Sequence, residues 1–155
     1  MAEHLPRIEI VAVGSELLTP YFEDTDSPYI VAQLEQLGLA PSFRTIMADD
    51  EEILATGLRH SLRRSELCFI IGGLGPTEDD RTREVLARLL KKKLILQEEI
   101  LATIRQRFAR RGLTMPSSNL KQAYIIEGAL VLPNHHGTAP GQWIEDNEKI
   151  IVLLP

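Results

Sequence analysis

Leu67-Cys68-Phe69-Ile70-Ile71-Gly72-Gly73-Leu74-Gly75-Pro76-Thr77-Glu78-Asp79-Asp80-Arg81-Thr82 carries an apolar run straight into a glycine loop. Five consecutive apolar residues suit a strand buried on both faces. Gly72, Gly73 and Gly75 then let backbone N–H groups approach an anion closely. Behind the two aspartates, Val85, Leu86, Leu89 and Leu90 recur at helical spacing. Strand, glycine loop and helix start together describe a phosphate-binding corner of an α/β sheet. Asp79 and Asp80 would repel a phosphate unless a cation lay between them. The corner therefore reads as a site for a phosphorylated ligand bridged by a divalent metal.

The 155 residues suffice for one domain with a sizeable core, and 44% hydrophobic with 25% charged residues is a globular composition. A net charge of −5 speaks against a nucleic-acid surface. Lys91-Lys92-Lys93 is the basic exception, and it falls at a helix C-terminus, where cations oppose the dipole. Cys68 is the one cysteine, so an intrachain disulfide and a thiolate zinc site are excluded, and its apolar setting predicts a buried small hydrophobe. No signal peptide or membrane-length apolar run is present, so a cytoplasmic location is expected, without membrane or nucleic-acid partners.

Outward from this corner, Ile8-Glu9-Ile10-Val11-Ala12-Val13 reads as a central parallel strand ending in a second glycine turn, Gly14-Ser15-Glu16-Leu17-Leu18. Ligands of doubly wound sheets bind beyond the carboxyl ends of the strands, which brings Glu16 and the Asp79/Asp80 pair to one edge. Ser27-Pro28 predicts an N-cap and first helical position, with the helix stopping at Gly38. Ser42 to Ala48 is a second strand. Asp49 with Glu52 makes a capping box for a helix reaching about Arg64, although Asp49 also stands at a strand end suited to function. Leu94-Ile95-Leu96 is a short strand or core insertion. A helix spans Glu98 to Arg111, with Gly112 as its stop. Ser117 or Ser118 caps a short helix through Ala123. Leu130-Val131-Leu132 is a brief strand. Gln142 to Glu145 and Lys149 to Leu154 form a hairpin. Between them lies a third glycine loop, Asn134-His135-His136-Gly137-Thr138-Ala139-Pro140-Gly141. Adjacent histidines point apart and no other histidine has ligand spacing, so this pair reads as loop residues rather than metal ligands.

Gly72 to Thr82 resembles the GGLGPTxDDxT signature of CinA-type (competence/damage-inducible) proteins. Gly14 to Leu18, Asp24-Thr25, Asp49-Asp50 and Asn134 to Gly141 stand where that family has its matching motifs. The resemblance implies the molybdopterin-binding fold of the MoaB/MogA type: a three-layer αβα sandwich with a mostly parallel sheet. It implies either a divalent-metal-dependent ADP-ribose pyrophosphatase, using Mg²⁺, Mn²⁺ or Co²⁺, or molybdopterin binding with adenylyl transfer. The family's two functional aspartates fall on Asp49 and Asp80. A homo-oligomer is also implied. Pro20, Asp26 and Arg81 depart from the family pattern. The sequence reaches Leu153-Leu154-Pro155 where relatives continue through LPGPP, so that loop and the C-terminal amidase domain are expected to lie outside it.

On this reading Gly72, Gly73, Gly75, Pro76 and Thr77 hold a diphosphate, with Gly137 and Thr138 assisting. Asp49, Asp79 and Asp80 hold the metal ion, and Glu16 is the candidate base or a ribose contact. Asp79 could instead cap the helix behind the loop. Two rival readings use the same site: a pterin-binding adenylyltransferase, and a binding module without turnover.

Overall fold

All six residues of Ile8–Val13, strand β1, are buried, and their alternation divides the protein into layers. The structure is a computed structural model that describes residues 5–155. β1 lies between β2 (Phe43–Met47) and β3 (Leu67–Ile71), parallel to both. Ile8 and Ile10 face helix α1 (Asp26–Gln36), packing with Leu34, Ile30 and Val31. Val11 and Val13 face the opposite way, into a core with Leu54 and Leu58 of α2 (Glu51–Arg64) and Val85 and Leu86 of α3 (Thr82–Leu89). Each large apolar side chain removed from water here contributes about 1.5–3 kcal/mol.

Beyond α3 come β4 (Leu94–Leu96), α4 (Glu98–Ala109), β5 (Tyr124–Ile126), β6 (Leu130–Leu132), β7 (Gly141–Asp146) and β8 (Lys149–Leu154). The main sheet has the order β2-β1-β3-β8-β7-β6. Its first four strands are parallel, while β7 runs against both β8 and β6. Helices on both faces make the expected αβα sandwich, with the expected C-terminal hairpin. That hairpin turns through Asn147 and Glu148 at φ +46° and +64°, the geometry that two-residue hairpin loops require. β4 pairs with β5 in a separate antiparallel ribbon, so Leu94–Leu96 is a strand. Among the described residues no helix is long and apolar enough to cross a membrane.

Glu9 breaks the apolar run of β1, yet it is fully buried on the α2 side. Arg64 grips it with two hydrogen bonds, at 2.8 and 2.5 Å, while Ser61 and Thr45 hydroxyls donate to it at 2.8 Å each. Burial pushes its carboxyl up, but these donors and the Arg64 charge outweigh burial and hold it below the usual range. Arg64 in turn stacks on the Phe43 ring, 4.1 Å from its centroid. Cys68 is buried as expected, and desolvation lifts its thiol to about 12.

Several caps differ from the sequence expectation. α1 begins before Ser27: Asp24 accepts from Ser27 N–H at 2.9 Å, so the acid, one turn earlier, does the capping. Burial raises the Asp24 carboxyl, but the Ser27 bonds and Arg44 lower it further, leaving it below its ordinary value. Asp50, not Asp49, caps α2, accepting from Glu52 and Ile53 N–H at 3.0 Å. Arg81 holds the N-cap position of α3 and no side chain makes a capping bond there, so Asp79 is not the cap. α4 ends at Ala109 rather than Arg111. Ser117–Ala123 is a 3-10 turn without a side-chain cap.

Candidate functional site

The strand order 2-1-3 places a topological switch at the carboxyl ends of β1 and β3, where open α/β sheets bind their ligands. β1 runs into Gly14 and a 3-10 turn, Ser15–Leu18; β3 runs into Gly72. Gly14 N–H donates to Met47 O and Gly72 N–H to Leu154 O, both at 3.0 Å, so each loop is pinned to a neighbouring strand. Gly72 and Gly73 adopt φ +95° and +70°. A Cβ on Gly72 would lie 2.5 Å from the Val13 carbonyl oxygen, and one on Gly73 would overlap Thr82 Oγ1. At both positions a side chain would force its neighbour to shift.

Pinned this way, the loop leaves three consecutive donors unpartnered, the middle one on buried Leu74. The N–H groups of Gly73, Leu74 and Gly75 bond to no acceptor among the described residues. Thr77 N–H differs from expectation: with its own hydroxyl it donates to Asp80 Oδ2, at 2.8 and 2.5 Å. The Asp80 carboxylate thus folds back over Gly75, and one of its oxygens closes the turn. Thr82 Oγ1 is fully buried beneath Gly73 without a partner.

Asp49 and Ser15 meet at the same edge, the serine hydroxyl donating to Asp49 Oδ1. Glu51, the first residue of α2, reaches Arg81 and Arg88 at 2.7 Å each and so ties the glycine loop to the Asp49 segment. The Arg88 and Arg81 bonds hold the Glu51 carboxyl below its usual value. Glu16 is exposed and folded against Gly14, and Asp79 is exposed. Asp49, Asp79 and Asp80 are not gathered into a ready ligand set: no three His, Cys, Asp or Glu side chains converge among the described residues. The carboxylates at this edge are oxygen donors, the chemistry a hard divalent cation takes, but they stand apart and Thr82 Oγ1 is sealed beneath Gly73.

Two residues that local pattern did not single out support these loops. Lys121 Nζ donates to the carbonyls of Thr77 and Asp80, at 2.8 and 2.6 Å, turning both away from an incoming anion. Arg107 donates to the carbonyls of Gly137 and Asn134 in the third loop. Gly137 N–H is already bonded to Asn134 Oδ1 at 3.1 Å, so it is not an open phosphate donor. Gly137 and Thr138 face α4 rather than the glycine loop. His135 and His136, as expected, are exposed loop residues. Beside Ile71 and Leu154, where β3 and β8 end, a cavity of about 560 Å³ is walled by Tyr29, Ile30, Leu132 and Pro133. Its volume lies within the range of small-molecule pockets.

A family model described as "Probable molybdopterin binding domain" matches residues 9–155. A CinA-like protein of Solibacter usitatus is 49% identical over 147 residues, covering 95% of this chain and 35% of that protein. Another, from Dictyoglomus thermophilum, is 46% identical over 149 residues, 96% and 36% of the two chains. The chain therefore spans about a third of the length of these relatives. Among solved structures, CinA from Thermoplasma acidophilum superposes with TM-score 0.86 at 29% identity, over 97% of this chain and 88% of that one. The molybdopterin biosynthesis Mog protein of Mycobacterium ulcerans shares the fold at TM-score 0.59 and 21% identity, over 96% and 82%.

Proposed function

This chain belongs to the family of molybdopterin-binding domains, and we propose that it binds a phosphorylated heterocyclic ligand at the β1/β3 switch and hydrolyses the diphosphate of a nucleotide such as ADP-ribose. The observation that carries the reading is the run of three unpartnered N–H groups, Gly73 to Gly75, above a helix start. Such a run is an anion cradle, and the adjacent cavity has room for a base or pterin ring.

Gly73, Leu74 and Gly75 hold the phosphate oxygens, and Lys121 keeps the loop's carbonyls out of their way. Asp80, fixed by Thr77, and Asp49, fixed by Ser15, would hold a divalent ion, with Asp79 contributing through water. A bound ion supplies electrophilic polarisation of a phosphoryl oxygen. Glu16, exposed at the same edge, accepts a proton from the attacking water. Water adds to one phosphorus, the bridging oxygen leaves with the other, and AMP is released.

The test is AMP release from ADP-ribose with Mg²⁺, Mn²⁺ or Co²⁺, against an EDTA control. Metal-dependent release that Asp80→Ala and Asp49→Ala each abolish supports hydrolysis; unchanged rates in both variants refute the assignment. The family's description favours a second reading, molybdopterin binding, with or without adenylyl transfer. Saturable binding of molybdopterin without AMP release would favour it.

A further inference from the structure

We propose that the C-terminal end of α4 and the third glycine loop form a separate binding cleft for a phosphate group. The cleft, about 530 Å³, is lined by Arg107, Arg110, Arg111, His135, His136 and Thr138, and no carboxylate lines it. In a chain of net charge −5, this is a concentration of cationic and hydrogen-bonding groups on one wall.

The pieces have distinct tasks. Arg107 is spent on structure: its guanidinium takes the Asn134 and Gly137 carbonyls, turning the loop's acceptors into α4 and away from the cleft. The Asn134 side chain closes the loop from within, accepting from His136 and Gly137 N–H and donating to Ala139 O. What remains for a ligand is the Thr138 hydroxyl, two imidazoles and the forks of Arg110 and Arg111. Neither arginine side chain has an ion pair or hydrogen bond among the described residues. An arginine in a last helical turn is ordinary compensation for the helix dipole. Two unpaired arginines sharing a cleft with an internally hydrogen-bonded loop, with the Arg107 guanidinium behind it, exceed that need. The planar fork with five donors matches the tetrahedral oxygens of a phosphate or diphosphate. The cleft shares His135 and His136 with the heterocycle cavity and lies on the other side of the same loop. Its phosphate is therefore either a second group of the ligand held there or a separate phosphorylated molecule. The inference itself does not depend on the hydrolytic reading.

The experiment is a titration of the whole chain with inorganic pyrophosphate at constant ionic strength, followed by amide NMR shifts and calorimetry. Arg110 and Arg111 are exposed, so Arg110→Gln/Arg111→Gln should fold, which its spectrum checks. The expected result is saturable binding with shifts at Arg110, Arg111, Gly137 and Thr138, weakened at least tenfold in the double variant. No saturable binding, shifts confined to Gly72–Thr77, or equal affinity in the folded double variant would each overturn it. A parallel ADP-ribose titration separates the sources. Weakening in the same variant assigns the cleft to that ligand's second phosphate, and unchanged ADP-ribose affinity assigns it to another molecule.

Discussion

Replacing Gly73 by alanine tests the close packing on which the anion cradle rests. Gly73 sits at φ +70°, where a Cβ would overlap Thr82 Oγ1 and stand 3.0 Å from Thr82 Cβ. Gly38, at the end of α1, supplies the control: its φ is +72°, but a Cβ there meets nothing within 4 Å. Left-handed backbone costs an L-residue about 1–2 kcal/mol in either place. Only Gly73→Ala adds overpacking against the first residue of α3, about 1–3 kcal/mol more. The total, about 2–5 kcal/mol, lowers the melting temperature by about 4–20 °C in a domain of this size. Gly38→Ala should lower it by about 2–8 °C. Far-UV circular dichroism melts and urea titrations measure both. Adding Thr82→Ala should restore part of the Gly73→Ala loss and none of the Gly38→Ala loss, a coupling that independent sites lack. If Gly73→Ala is no worse than Gly38→Ala, the loop does not rest on Thr82 and the rigid cradle is wrong.

Other substitutions probe the frame and the division of labour between acids. Arg64→Met should cost about 2–4 kcal/mol in urea unfolding, somewhat under a fully buried pair because Arg64 is partly open to solvent. Glu9 is held below its unfolded value, so its contribution is complete above that value, about 4.3, and is lost as pH falls through the lower folded one. Stability measured against pH should therefore drop on the acid side, and Arg64→Met should flatten that limb; an unchanged limb would deny the pairing. Asp50→Ala should cost about 1 kcal/mol as a lost cap, and Asp49→Ala under about 0.5 kcal/mol while removing the proposed activity. Equal destabilisation by the two would return the cap to Asp49. Cys68, buried with its thiol near 12, should react with a disulfide reagent only at the rate of unfolding, and rapid labelling of the native protein would contradict its placement.

The frame was legible in the sequence where a local signal sufficed. The apolar runs of β1 and β3 gave those strands with their observed ends, and the amphipathic periodicity of α2 gave its C-terminal end at Arg64. Caps were less legible, because Asp49-Asp50 offers two acids one residue apart and only backbone geometry decides which faces the helix. Likewise Asp24, three residues before Ser27, accepts from Ser27 N–H itself, so serine is inside the helix start rather than its cap. β5 escaped because three residues carry no period, and its partner β4 lies about thirty residues earlier. Arg107, Lys121 and the Glu9–Arg64 pair escaped for one reason. Each meets partners 27 to 55 residues away, which spacing along a chain cannot encode.

Those distant contacts also explain how an acidic loop can serve an anion. Two adjacent carboxylates beside three open N–H groups should weaken the cradle by repulsion. Asp80 is turned inward and its charge spread over Thr77, whose N–H and hydroxyl it accepts. Lys121 places a positive charge on the opposite side of the same turn, and Arg81 carries another between the loop and Glu51. Neutralised on these sides, the loop keeps Gly73, Leu74 and Gly75 N–H without an acceptor among the described residues. Arg81 is a departure from the motif's usual apolar residue. Its bond to Glu51 makes it a brace between two acidic segments rather than a defect. Losing that brace, as in Arg81→Ala, should weaken the proposed binding of ADP-ribose with Mg²⁺ in a calorimetric titration, and unchanged affinity would deny the brace.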